Sequence, residues 1–170
     1  MKRLLPLLLL FALLLPLATH AQGNSTDIDR MEVSLWPDFD DPSLLVLMTV
    51  SMPANASLPA DITIPLPDGY DQDRLVVARI TEDGNMIDDL QAVKTADSVT
   101  FSMPENRFRI EYYVPYTANG DDRQIEFSWL SPDLNVASLQ VAVQEPAMAT
   151  EITTNPEPIG ELGGGTGLTE

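Results

Sequence analysis

The chain has 170 residues and a formal net charge of -17, from 26 acidic residues against 9 basic ones, with no cysteine and one histidine. Without cysteine there is no disulfide framework, thiolate zinc site, thiol nucleophile or iron–sulfur cluster. A surface this acidic repels phosphates, which excludes nucleic acid as a partner.

The N-terminal stretch has the parts of an export signal. Lys2 and Arg3 form a positive n-region, Leu4 to Leu17 an apolar h-region, and Thr19 and Ala21 supply small residues for a cleavage site. The apolar run falls short of the ~20 residues that a spanning helix needs, and Pro6 and Pro16 interrupt it. Cleavage is expected after Ala21, leaving Gln22 first; an uncleaved N-terminal anchor is the alternative. Cleavage removes Lys2, Arg3 and the only histidine, His20, leaving 149 residues with a charge of -19. The exported chain then has no imidazole for base catalysis or metal binding. Residues 22–30 read as a polar leader.

From Met31 onward, apolar and polar residues alternate with the period of a half-buried strand. Val33 and Leu35 begin the pattern. Leu44 to Val50 is a continuous apolar run, expected as a central strand covered on both faces. Alternation resumes at Ile62-Ile64-Leu66, and Leu75 to Ile80 reads as a further strand. Met86 to Lys94 is the one ambiguous stretch, able to hold a helical turn and read as a strand or irregular connection. Val99-Phe101-Met103, Phe108-Ile110-Tyr112-Val114, Ile125-Phe127-Trp129 and Leu139-Val141-Val143 complete the set. Turn chemistry separates the runs: Glu82-Asp83-Gly84-Asn85 and Asn119-Gly120-Asp121-Asp122 are hairpin turns, and Asp68-Gly69 and frequent prolines break the remainder. This pattern predicts one all-β domain over 31–152. An antiparallel β-sandwich of immunoglobulin or fibronectin type is expected, with a jelly roll as the alternative. Residues 153–170 are rich in Gly, Pro and Thr and read as a linker or long loop.

Four segments carry a resemblance. They are Val33 to Val46, containing Leu35-Trp36-Pro37-Asp38-Phe39-Asp40-Asp41-Pro42; Leu58-Pro59-Ala60; Glu111-Tyr112-Tyr113-Val114-Pro115-Tyr116; and Val143-Gln144-Glu145-Pro146. In this order they resemble an uncharacterised group of exported bacterial proteins with an LWP(D/E)(F/Y)D-P … LPA … EYY-P … VQ-P pattern, over roughly residues 31–168. In that group the segment similar to Gly165-Thr166-Gly167-Leu168-Thr169 leads into another pair of strands, and some members continue to a membrane anchor or a further small domain. The resemblance implies an envelope-exposed β domain and a chain truncated at its C-terminal side. It implies no activity and no catalytic residues.

Carboxylates are the only abundant site chemistry. Asp68, Asp71 and Asp73 crowd one loop, and Asp38, Asp40 and Asp41 another; calcium is bound by such oxygen donors. Neither cluster has the spacing of a calcium loop, and a solvated turn is the plainer reading. Trp36 and Phe39 are expected to pack over a sandwich rim, and Tyr116 to close a corner through its hydroxyl. Tyr112 is expected inside and Tyr113 outside. Tyr70, Tyr113 and Tyr116 are candidate members of an aromatic platform for sugars. No serine has a histidine partner, and Lys94 is the only lysine after cleavage. Gly163-Gly164-Gly165 reads as linker. Asn24 and Asn55 open formal glycosylation sequons that carry little meaning in a bacterium.

The expectation is an exported, non-enzymatic β-sandwich module of the cell envelope with a structural or protein- or ligand-binding role. Its partner is a protein or glycan, it needs no cofactor, and it meets a membrane only through export or a C-terminal anchor. The alternatives are a calcium-assisted carbohydrate-binding module and a carboxylate-based glycoside hydrolase. N-terminal analysis of protein recovered from a secreting host should yield Gln22, and a chain that keeps Leu4 to Leu17 shows an anchor instead.

Overall fold

A computed structural model describes residues 26–129, 131 and 134–160. The export signal with Ala21 and Gln22, and the tail residues 161–170, lie outside the described residues. Within them the chain is all-β, with no helix.

The strands are β1 (Thr26–Ile28), β2 (Arg30–Pro37), β3 (Leu44–Ser51), β4 (Ala60–Pro65), β5 (Val76–Ile80), β6 (Met86–Ile87), β7 (Ala92–Lys94), β8 (Ser98–Met103), β9 (Arg107–Val114), β10 (Thr117–Asn119), β11 (Asp122–Gln124), β12 (Leu134–Val136) and β13 (Leu139–Val143). A six-stranded sheet runs in the order β13-β2-β3-β9-β5-β6, and a three-stranded sheet in the order β4-β8-β7. Two small ribbons, β1-β12 and β10-β11, complete the structure. The expected alternation places one face of each strand inward. Met31, Val33 and Leu35 from β2, Val46, Met48 and Val50 from β3, and Phe108, Ile110 and Tyr112 from β9 are all buried. The opposing layer supplies Ile62 and Ile64 from β4 and Val99, Phe101 and Met103 from β8. Phe101 and Phe108 meet between the layers edge to face, with ring centroids 5.3 Å apart. The fold is therefore a β-sandwich, with no closed barrel.

Leu44 to Val50 is central, between β2 and β9. Its outward side is covered at the Leu45 end and only half-buried at Leu47 and Thr49. The ambiguous stretch 86–94 resolves into the short strands β6 and β7 around an irregular link. Both expected hairpin turns are present. Thr81 N–H donates to Asn85 O across the first, and Asn119 pairs with Asp122 across the second.

Three features depart from the sequence reading. The pairings β13-β2 and β1-β12 are parallel, and the paired strands lie more than a hundred positions apart in the chain, so the intervening strands supply the long crossover that parallel pairing needs. Thr26–Ile28 lies in the stretch read as a leader, yet it pairs with Leu134–Val136, and Ile28 is buried in the core. Ile125, Phe127 and Trp129 alternate but join no ladder among the described residues. They pack half-buried against the core as an unpaired extended segment, so their alternation records one-sided burial without sheet pairing.

Truncating Phe108 to Ala removes the ring that contacts Phe101 at a site with no room for water. It should cost about 3–5 kcal/mol in urea unfolding. Val93→Ala, on the exposed side of β7, should change stability by less than about 0.5 kcal/mol.

Candidate functional site: an aspartate, arginine and tyrosine corner

Two of the resemblance motifs meet at one end of the sandwich, joined by the loop 68–74. The register explains the meeting. Trp36, Leu45 and Tyr113 stand opposite one another on β2, β3 and β9, so they share the outward face at the strand ends. Beyond Pro37 the chain turns through 38–43 and re-enters as β3. Asp38 N–H donates to Ser43 O at 3.0 Å and closes this turn. Asp38 itself has φ of 51°, a left-handed conformation that aspartate tolerates better than most residues. Trp36 and Phe39 pack at the rim, 4.8 Å between centroids, as the sequence suggested.

The loop 68–74 turns at Gly69, whose φ of 78° suits glycine. It is pinned on three sides. Asp71 N–H donates to Tyr113 O at 2.9 Å. Tyr70 is buried, and its hydroxyl donates to Thr95 O at 2.6 Å. Lys94 Nζ donates to Gln72 O at 2.8 Å and to Leu75 O at 2.9 Å.

Two arginines join the segments. Arg74 Nε bonds Asp71 Oδ2 at 2.8 Å, and its Nη1 pairs with Asp41 from the 38–43 turn. The guanidinium lies 3.8 Å above the Tyr113 ring, a cation–π stack. The Tyr113 hydroxyl donates to Asp40 Oδ2 at 2.8 Å. Arg123, on β11, reaches Asp38 Oδ2 at 3.3 Å and donates to the Tyr116 hydroxyl at 3.1 Å, while that hydroxyl donates to Asp38 Oδ1. Asp41 also accepts from the Ser43 hydroxyl.

The resolved titrations run away from neutrality. The Ser43 hydroxyl and the Arg74 guanidinium hold Asp41 below the ordinary carboxylate value, and Arg74 with the turn amides does the same for Asp71. Desolvation, then the bond to Asp40, pushes Tyr113 up to about 12. Desolvation and the bond to Asp38 also raise Tyr116. A retaining or inverting glycosidase needs one carboxyl with a raised pKa as general acid. Asp41 and Asp71, the two acids that line the shallow depression at this corner, are both shifted the other way.

The candidate calcium residues are placed as follows. Asp71 is committed to Arg74 and to the amides of Asp73 and Arg74. Asp68 and Asp73 are exposed on the same loop. Among the described residues no group of three or more acidic, His or Cys side chains is gathered around a cation position. Of the candidate platform tyrosines, Tyr70 belongs to the core, Tyr113 has Arg74 on its face, and Tyr116 is tied to Asp38 and Arg123. Tyr112 is inside and Tyr113 partly outside, as expected. The residues missed from the sequence are Arg74 and Arg123. Each ends an acid-rich turn, Asp68 to Asp73 and Asp121-Asp122, and that placement is the signal for a bridging cation.

No protein-family model matches the chain, and no curated protein matches it either.

Because Asp41 and Asp71 have lowered pKa values, their contribution to stability is complete above the unfolded value of 3.8 and is lost as pH falls through the lower folded values. Arg74→Met should therefore lower the Tm at neutral pH. The gap to the wild type should close at acid pH, once the pH has fallen through the lowered folded values and both carboxyls are protonated in the folded protein. Arg107→Met, at the exposed start of β9, should show no such convergence.

Proposed function

We propose that the chain is an exported, non-enzymatic β-sandwich module of the cell envelope, with a structural or partner-binding role. The observation that carries this reading is the state of the corner. The densest polar chemistry at a loop end, where sandwich proteins usually place their sites, is taken up by internal bonds among Asp38, Asp40, Asp41, Asp71, Arg74, Arg123, Tyr113 and Tyr116. Such a network fixes three segments relative to one another. Within it Asp41 and Asp71 are both held below the ordinary carboxylate value, which sets neither as a general acid or base for neutral pH, and the Ser43 hydroxyl is tied to the weakened base Asp41. The composition points the same way, since the exported chain has no histidine or cysteine, and Lys94 is occupied with backbone carbonyls.

A carbohydrate-binding role draws support from one observation. Phe39 is 49% exposed beside Trp36, so an aromatic edge is open at the rim. Stacking of a sugar there would rest on two rings tilted at 55°, a poor match for a flat platform.

The test combines three measurements on the secreted chain. Cell fractionation should place it outside the cytoplasm. Its Tm should be unchanged by calcium at millimolar concentration, and a panel of glycosides should show no turnover. Hydrolysis of any glycoside, or a cytoplasmic location, overturns the proposal; a calcium shift accompanied by glycan binding favours the carbohydrate-binding module.

A further inference from the structure

The two edges of the six-stranded sheet are finished differently. Near the β6 edge, Arg79 of β5 stands opposite Phe108, and its guanidinium bonds Asp89 through Nε at 2.8 Å and Nη2 at 3.0 Å and reaches Glu105 at 3.4 Å. A charged side chain set at a sheet margin discourages further pairing. At the β13 edge the nearest charges, Arg30 and Glu32 of β2, lie on the opposite, outward face, where they pair with each other and Arg30 reaches Gln140 Oε1 at 3.2 Å, and β13 itself carries no charge. Leu139, Val141 and Val143 stand opposite Met31, Val33 and Leu35, so they face the core side of the sheet. The residues of β2 are 0%, 1% and 5% exposed, whereas those of β13 are 48%, 45% and 48% exposed. Among the described residues no strand pairs with the outer side of β13. The run 134–144 contains no charged residue, in a chain with 26 acids and 9 bases.

We propose that β13 is a self-association edge, at which two copies of the chain pair antiparallel about a two-fold axis through Val141. The strip is its own complement. With the axis at Val141, Leu139 of one copy faces Val143 of the other, Val141 faces Val141, and Gln140 faces Ala142. All three apolar pairs then lie on the core-facing side, and each covers surface that the second layer leaves open. A two-fold contact sets like residues against like, so a charged strip would repel itself; this one is neutral. The neutral strip is what favours a second copy as the occupant. Elsewhere the copies repel one another through their net negative charge, so pairing is restricted to this strip and strengthens with salt.

The experiment is sedimentation of the full secreted chain at about 20 mM and about 500 mM NaCl, over a wide concentration range. The expected result is a dimer whose population rises with salt. Val141→Lys sets two ammonium groups face to face at the axis and should weaken the dimer by about tenfold or more, while the Tm at low salt stays near that of the wild type. Mixing Val141→Lys with Val141→Glu should restore association between the two variants. Should Val141→Lys fail to fold, the absence of native cysteine supplies a second route. Val141→Cys, the only thiol in its chain, should cross-link to a second copy with a short bismaleimide at high salt, and Val93→Cys on the exposed side of β7 should not. A wild-type chain that stays monomeric under all conditions overturns the proposal, as it would if the edge takes a strand from a different protein. A dimer that survives Val141→Lys unchanged, or that cross-links equally through Val93→Cys, overturns it as well.

Discussion

The inner face of the six-stranded sheet is wider than the three-stranded layer that covers it, and much of the remaining architecture follows from this mismatch. An apolar sheet face left in water forfeits the burial that drives folding, about 25 cal/mol for each Å² left exposed. The chain makes up part of the deficit with segments that are not regular layers. Ile28 and Leu134 bring the β1-β12 ribbon into the core, and Ile125, Phe127 and Trp129 lie against it without pairing. Among the described residues the buried indole Nε1 of Trp129 meets no hydrogen-bond partner. The filling stops short of β13.

Charge sets a second constraint. A chain with nearly three acids for each base repels itself when compact, so each cation has unusual leverage over where segments settle. Three of the arginines join separate segments of the chain. Arg74 joins the 68–74 loop to the 38–43 turn, Arg79 joins β5 to Asp89 and Glu105, and Arg123 joins the β10-β11 hairpin to Asp38. Each contact is partly exposed, where a single ion pair contributes little, and Arg74 makes up for this by combining two carboxylates with a stack on Tyr113. Lysine could not take this role with the same geometry, because a point charge has no flat face and no fork. The preference is visible in the composition, with seven arginines against two lysines.

The sandwich was legible because strand alternation directly reports a sheet with one wet face. Phe108, Ile110 and Tyr112 show this, and all three are buried as their spacing required. The same signal misled at Ile125 to Trp129, since any extended segment lying on a core alternates whether or not its backbone is paired. The β1-β12 ribbon was not legible, because three residues paired across more than a hundred positions leave no local pattern. At the corner, the role of Tyr116 was readable by likeness to the tyrosine corners of sandwiches. The partner was not, since the choice among Asp38, Asp40 and Asp41 depends on how the turn places each carboxylate. Tyr70 was misjudged for a related reason. A tyrosine in an acid-rich loop reads as exposed, yet its ring fills the space beside Tyr112, at 6.4 Å between centroids, and its hydroxyl finds the Thr95 carbonyl.

The corner and the edge divide the molecule's polar and apolar resources in opposite ways. At the corner every acid of the 38–41 turn is answered from within the chain, by Tyr113, Tyr116, Arg74 or Arg123, so a partner approaching there would have to break bonds before making any. At β13 no strand among the described residues pairs with the outer backbone and three aliphatic side chains are half-exposed, so a strand arriving there would gain hydrogen bonds and burial together. The pairing proposed at the side of the sheet would therefore meet less internal competition than binding at the loop ends, the reverse of the arrangement in sandwiches that bind through loops. Rigidity at the corner serves that arrangement: by fixing the ends of β2 and β3, it holds in register the strand against which β13 is laid.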